Sequence, residues 1–182
     1  MTTTEHETER LGVVASAVRT DGTVEQRLLR LEDERAARDV VMRYGHFLDA
    51  KRWDDLFALF TDDAVRLLGG SFEQTTNGRA ALRALYDTPA NNAADADQVR
   101  HHYASEIVRL SESGDTASVV AYYTVHLTGQ RDGRRVRGTH QGVSHFTLRK
   151  VDGQYRIGRQ VNISDIAHNP LAPSGYVDRP AG

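Results

Sequence analysis

From about Val24 the apolar positions recur with a helical period. Val40, Tyr44, Phe47 and Leu48 fall on one stripe, while Arg30, Glu34, Arg35 and Arg38 take the side expected to face water. A second, shorter period follows in "WDDLFALF", where Trp53, Leu56, Phe57 and Phe60 are spaced i, i+3, i+4, i+7 and predict a short helix. "TDDAVRLLGG" ends that helix and enters a first strand, closed by Gly69 and Gly70. "TTNGRAALRALYDT" reads as a third helix with Asn77 at its N-cap, because an asparagine oxygen accepts well from the first free N–H groups. After the loop "DTPANNAADADQ" the period changes to that of strands, in "VRHHYASEIVRL", "TASVVAYYTVHLTG", "RVRGTHQGVSHFTLRK" and "QYRIGRQVNISDI". The links "SESGD", "QRDGR" and "VDG" are turn chemistry, so these strands are expected to form an antiparallel meander.

Residues 1–23 lack a sustained period until the helix begins and are expected to be a mobile arm. Residues 166–182 hold three of the four prolines and read as an extended tail. The domain between them, 24–165, has helices first and a long sheet afterwards, an α+β order. The three N-terminal helices are the available cover for the inner face of the sheet. A bent sheet wrapped over them leaves a pocket suited to a small molecule.

Composition narrows the partners. The 182-residue chain is 39% hydrophobic and 26% charged with net charge −2, so it lacks the basic surplus that nucleic-acid binding needs. It has no cysteine, which excludes disulfides and thiolate chemistry and fits a reducing, cytoplasmic setting. The polar start "MTTTEHETER" does not resemble a signal peptide, and no apolar run approaches the roughly 20 residues of a membrane span.

Candidate chemistry begins at Asp49, five residues after Tyr44. A helix C-terminus carries partial negative charge, so a carboxylate there is disfavoured unless something compensates it. At about 100° per residue Asp49 lies at the edge of the apolar stripe. It is either a solvated acid opening the next helix, whose first turn holds Asp54 and Asp55, or an acid turned inward to meet a partner. "RHHY" offers that partner. Neighbours on a strand point to opposite faces, so only one of His101 and His102 looks inward, and the two cannot chelate one metal together. The His101 face continues through Tyr103, Ser105 and Ile107, and the His102 face through Ala104, Glu106, Val108 and Leu110. The period does not decide between them. An inward imidazole alone is commonly a hydrogen-bonded interior group. Beside a carboxylate it becomes a base with a fixed tautomer.

His126, on a face with Tyr122 and Thr124, is either a second polar pocket group or a strand-end residue. Trp53, Phe57 and Tyr86 are pocket walls or ordinary core. No HExxH, P-loop or GxGxxG occurs, and no metal or other cofactor is expected.

"YGHFLDAKRWDDLFALFTDDA", "NGRAALRALY", "VRHHYASEIVRL", "GDTASVVAYYTVH" and "LRKVDGQYRIGRQ" together resemble the SnoaL-like branch of the nuclear transport factor 2-like superfamily, over residues 27–165. The resemblance implies a cone-shaped α+β barrel, three helices packed in a strongly bent, mixed but mostly antiparallel sheet. Its dehydratase-like members, such as scytalone dehydratase and the bile-acid 7α-dehydratase, use a Tyr on the first helix, an Asp after it and a His on the first meander strand. Tyr44 and Asp49 match the first two. The family's placing of the His after an Arg or small residue selects His101, behind Arg100, with His102 as fallback. Arg159 lies near a position where some members carry a polar or cationic cavity residue.

The activity implied is a cofactor-independent lyase or isomerase. His101 would accept a proton, Asp49 would hold it, and Tyr44 would donate to a leaving or enolate oxygen. The implied substrate is a small hydrophobic oxygenated molecule such as a polyketide, steroid or terpenoid. The superfamily also holds non-catalytic binding proteins and oxygenase β subunits, so a small-molecule-binding or structural role is the alternative. An apolar outer sheet face would favour a homo-oligomer, dimer or trimer.

Overall fold

The computed structural model describes residues 21–69, 74–87, 96–131 and 134–165. The expected arm lies outside them except for residues 21–23, and the expected tail 166–182 lies wholly outside. Helix α1 spans Val24–Asp49, α2 Trp53–Ala58 and α3 Arg79–Tyr86. The strands are β1 Phe60–Gly69, β2 Gln74–Asn77, β3 Ala96–Leu110, β4 Thr116–Arg131, β5 Arg134–Val151 and β6 Gln154–Ser164. Among the described residues no helix is long and apolar enough to cross a membrane.

Thr23 starts α1 through a capping box. The Gln26 N–H donates to Thr23 Oγ1 at 3.2 Å, and the Thr23 N–H donates to Gln26 Oε1 at 3.0 Å. The buried side of α1 begins at Ala37 and continues through Val40, Val41, Tyr44 and Gly45. The helix stops where Lys51 enters the left-handed region at φ 53°, and the Arg52 N–H closes back on the Phe47 carbonyl at 2.9 Å.

Two expectations near β1 are corrected. Phe60 does not close the second helix. It opens β1, in register with Ile157 of β6, and the Ile157 N–H donates to the Leu59 carbonyl at 2.7 Å. Pairing with a distant strand thus overrides the local helical period. Nor does Asn77 cap a helix. Residues 74–77 pair with β1 as a short strand, and Gly78 precedes α3 with φ 87°, a conformation glycine adopts without strain.

The sheet order is β2-β1-β6-β5-β4-β3, with β1 and β6 parallel and the other neighbours antiparallel. The meander expected for the last four strands is therefore present, and β6 also carries β1. Strand β3 breaks register with β4 between Ala104 and Ile107, where Ser105 takes φ 54°. Such a bulge bends a strand and exchanges its faces. His101 and Tyr103 lie over α1 before it, and Val108 and Leu110 join the core after it. The core is centred on Tyr44, whose ring meets Phe60 at 6.0 Å, Phe146 at 5.6 Å and Tyr103 at 6.2 Å, all edge to face.

Glu106, beside the bulge, gives a pH-dependent prediction. Its Oε1 is buried with no hydrogen-bond partner, and Arg38 approaches its other oxygen at 3.8 Å. Burial raises the carboxyl pKa, and Arg38 only partly opposes this. A raised carboxyl destabilises the fold above its folded pKa, and the penalty disappears as pH falls below the unfolded value, about 4.3. Glu106→Gln is therefore expected to raise the midpoint of thermal unfolding at pH 7 and to lose that advantage by about pH 4. Unfolding curves at the two pH values check this.

Candidate active site

The end of α1 places Asp49 against β3. Its Oδ2 accepts from the backbone N–H of His101 at 2.9 Å, and its Oδ1 lies 2.5 Å from His101 Nδ1. The side chains of His101 and Asp49 are 14% and 11% exposed, so the pair is largely shielded from water. A carboxylate facing Nδ1 holds the proton there and leaves Nε2 with its lone pair free to act as a base. The backbone N–H compensates the carboxylate a second time, which explains why an acid is tolerated at a helix C-terminus.

Gly45 makes this approach possible. A Cβ at that position would sit 3.3 Å from the Tyr103 ring and 3.6 Å from His101 Cβ. Gly45→Ala is expected to fold, to push β3 away from α1 and to lower kcat about tenfold or more through misplacement of His101. Steady-state kinetics beside a thermal melt would show it; unchanged kcat would refute the spacing role.

Of the sequence-derived residues, Tyr44, Phe57, Tyr86 and Trp53 do gather inside. Tyr44 is buried in the aromatic core, and Phe57 stands 6.0 Å from Tyr86 and from Phe60. The half-buried Trp53 lies 6.2 Å from Tyr86. Burial, and then the neighbouring Tyr44, keeps the Tyr86 phenol protonated far above its ordinary range.

Three residues expected in the pocket are elsewhere. His102 and His126 are exposed on the outer face, with ring centroids 5.4 Å apart, and His126 Nδ1 lies 3.4 Å from Thr139 Oγ1. His102 points away because it alternates with His101. Arg159 pairs in register with Val65 and Thr147, on the face opposite its neighbour Gln160.

Residues not singled out in the sequence occupy the interior instead. Arg66 and Gln160 are register partners on β1 and β6, and Gln160 also pairs with the buried core residue Phe146. Ser144 donates to Asn162 Oδ1 at 2.7 Å. His140 Nε2 lies 2.6 Å from Ser164 Oγ and 3.4 Å from Tyr123 Oη. Burial pushes the Tyr123 phenol up to about 12. The signal for Arg66 was its alternation with Ala64 and Leu68 in "AVRLL", one cation on an otherwise apolar strand face.

A profile of the SnoaL-like domain matches residues 29–160. No curated protein sequence matches significantly. Among solved structures, a nuclear transport factor 2-like protein with a cystatin-like fold from Novosphingobium aromaticivorans is 26% identical, with 82% of this chain and 94% of that chain covered and a TM-score of 0.67. A protein from the same organism, assigned as a scytalone dehydratase without demonstration, is 21% identical over 84% of this chain and all of that one, with a TM-score of 0.66. A type 2 hexachlorocyclohexane dehydrochlorinase is 17% identical over 82% of this chain and 99% of that chain, with a TM-score of 0.61. The likeness to the last two is one of fold. With its profile match running from the first helix to the last strand of this bent sheet, the chain belongs to the SnoaL-like family of the nuclear transport factor 2-like superfamily.

Proposed function

We propose that the protein is a cofactor-independent lyase or isomerase that begins its reaction by proton abstraction at His101 Nε2. The observation that carries this reading is the shielded contact between Asp49 Oδ1 and His101 Nδ1, 2.5 Å long, beside the backbone N–H that also binds Asp49. His101 takes a proton from a carbon or hydroxyl of the substrate. Asp49 stabilises the imidazolium that results. Tyr44, interior, donates to the oxygen on which negative charge develops, whether a departing hydroxyl or an enolate. In an elimination the imidazolium then returns its proton to the leaving group, and in an isomerisation to a different carbon. The walls are apolar and aromatic, which suits a small hydrophobic oxygenated molecule of the polyketide, steroid or terpenoid kind.

The test is incubation of the purified protein with an extract of small hydrophobic metabolites, followed by mass spectrometry. One metabolite should be converted to a product lighter by one water, or to an isomer of equal mass, and Asp49→Asn should abolish the conversion. Retention of a metabolite without any conversion would instead favour a binding protein.

A further inference from the structure

Two interior polar side chains take no part in the proton transfer just described. Gln160 is 0% exposed, and neither its Oε1 nor its Nε2 has a hydrogen-bond partner. Arg66 Nε is likewise buried and unpaired. The Arg66 guanidinium lies 5.1 Å from the centroid of the Tyr86 ring, and among the described residues no carboxylate pairs with it. A stacked ring compensates part of a cation's charge but none of its N–H donors. Because β1 and β6 are parallel and the two residues are in register, their side chains stand next to each other on the inner face, on strands about 5 Å apart. Burial opposes the charge of Arg66, yet a guanidinium keeps its proton in a protein interior and so remains a cation there.

A buried amide with both ends unpaired, beside a buried cation with an unpaired donor, is costly for a fold. The cost is removed when something with an anionic oxygen enters. We propose that Arg66 and Gln160 form an acid-binding subsite, and that the molecule taken into the cone is an aromatic-bodied acid whose carboxylate or ionised phenol is received there. This rests on the proposed reading of His101 as the base and adds the substrate's class to it. A guanidinium donates two parallel hydrogen bonds to a planar anion, and the Gln160 amide NH2 donates a third. The rest of the molecule then lies along the rings of Tyr103 and Phe146, whose centroids are 5.8 Å apart. Tyr103 is two residues from His101 on the same strand and face, so an anchored acid presents its far part to the base.

The test is isothermal titration calorimetry of the full chain with matched probes. One pair is 2-naphthoate and the neutral 2-naphthamide. The other is 4-nitrophenol, titrated while ionised, and nitrobenzene. At least one anion should bind about tenfold or more tightly than its neutral counterpart, and the pair that shows this distinguishes a carboxylate from a phenolate ligand. Arg66→Met, which keeps the chain length, should erase the preference. Gln160→Leu should weaken anion binding while raising the thermal stability of the ligand-free protein, because it removes an unpaired amide; an amide with only a structural role would lower it. Equal affinity within both pairs, or no anion binding, overturns the proposal without needing any variant to fold. So does a preference that survives in Arg66→Met. Asp49→Asn should keep the preference. A preference seen together with an Asp49→Asn enzyme of full activity would remove the proton-transfer reading alone, and loss of activity without any preference would remove the subsite alone.

Discussion

Asp49→Asn is expected to lower turnover by about 10²–10⁴-fold while leaving the protein folded. The asparagine amide has nearly the carboxylate's shape but only one accepting oxygen. If that oxygen takes the place of Oδ1, which lies 2.5 Å from Nδ1 and accepts from the His101 backbone N–H at 3.2 Å, the amide NH2 replaces Oδ2 and is turned against the same N–H, now 2.9 Å from Oδ2. If the amide NH2 faces Nδ1, the ring proton moves to Nε2 and the base is lost. In either orientation the imidazolium has no negative partner. His101→Ala should cost a similar factor, and the double variant should be little worse than either single one, because the two side chains act as a unit. Asp152→Asn is the control. Asp152 is exposed in the β5–β6 turn at φ 52°, a conformation asparagine accepts, so activity should be unchanged. His102→Ala should also leave turnover intact, since that ring is on the outside. Steady-state kinetics on the converted metabolite decides among these, and an Asp49→Asn enzyme within a few-fold of the native rate would rule out the paired base.

Gly142→Ala should be the most damaging single change to stability, on the order of 3 kcal/mol or more. Gly142 lies on β5 opposite Tyr123 of β4 and Ser164 of β6. A Cβ there would overlap the backbone carbonyl of Ile163 and come within 2.9 Å of Tyr123 Oη. A carbonyl in a strand cannot swing aside as the end of a long side chain can. Relief requires β5 and β6 to separate where they carry Ser144 and Asn162, and their hydrogen bond of 2.7 Å would be strained with them. At about 2–4 °C per kcal/mol for a chain of this size, the thermal midpoint should fall by roughly 6–12 °C. A midpoint within about 2 °C of the native value would show that the strands can yield there.

The site was partly legible in the chain because Tyr44 and Asp49 lie on one helix, where five residues of separation fix their relation. His101 was harder. Its strand reads as if either face were inside, since Val108 and Leu110 share parity with His102. The bulge at Ser105 resolves this by exchanging the faces, and a serine in a left-handed conformation leaves no mark in a pattern of apolar and polar letters. The same difficulty hid Gln160. A register shift on β6 between Ile157 and Arg159 sets the interior positions three residues apart, at Ile157 and Gln160, so strict alternation points to Arg159 instead. The helices and the meander followed from period and turn residues. The parallel pairing of β1 with β6 did not, because its two strands lie ninety or so positions apart in the chain, beyond what any local pattern records.

That pairing also sets the order in which the protein can become itself during synthesis. The strand between β1 and β5 is β6, the last of the described strands to leave the ribosome. Until it emerges, β1 and β2 form an isolated hairpin, β3 to β5 a separate meander, and Arg66 faces no Gln160. At about 5–20 residues per second, the nascent chain spends about one to three seconds between the end of β5 and the end of β6 with an open slot in its sheet and the apolar side of α1 incompletely covered. A ribosomal pause or a premature stop before Gln154 would therefore yield a sticky, chaperone-dependent intermediate and not a smaller version of the fold.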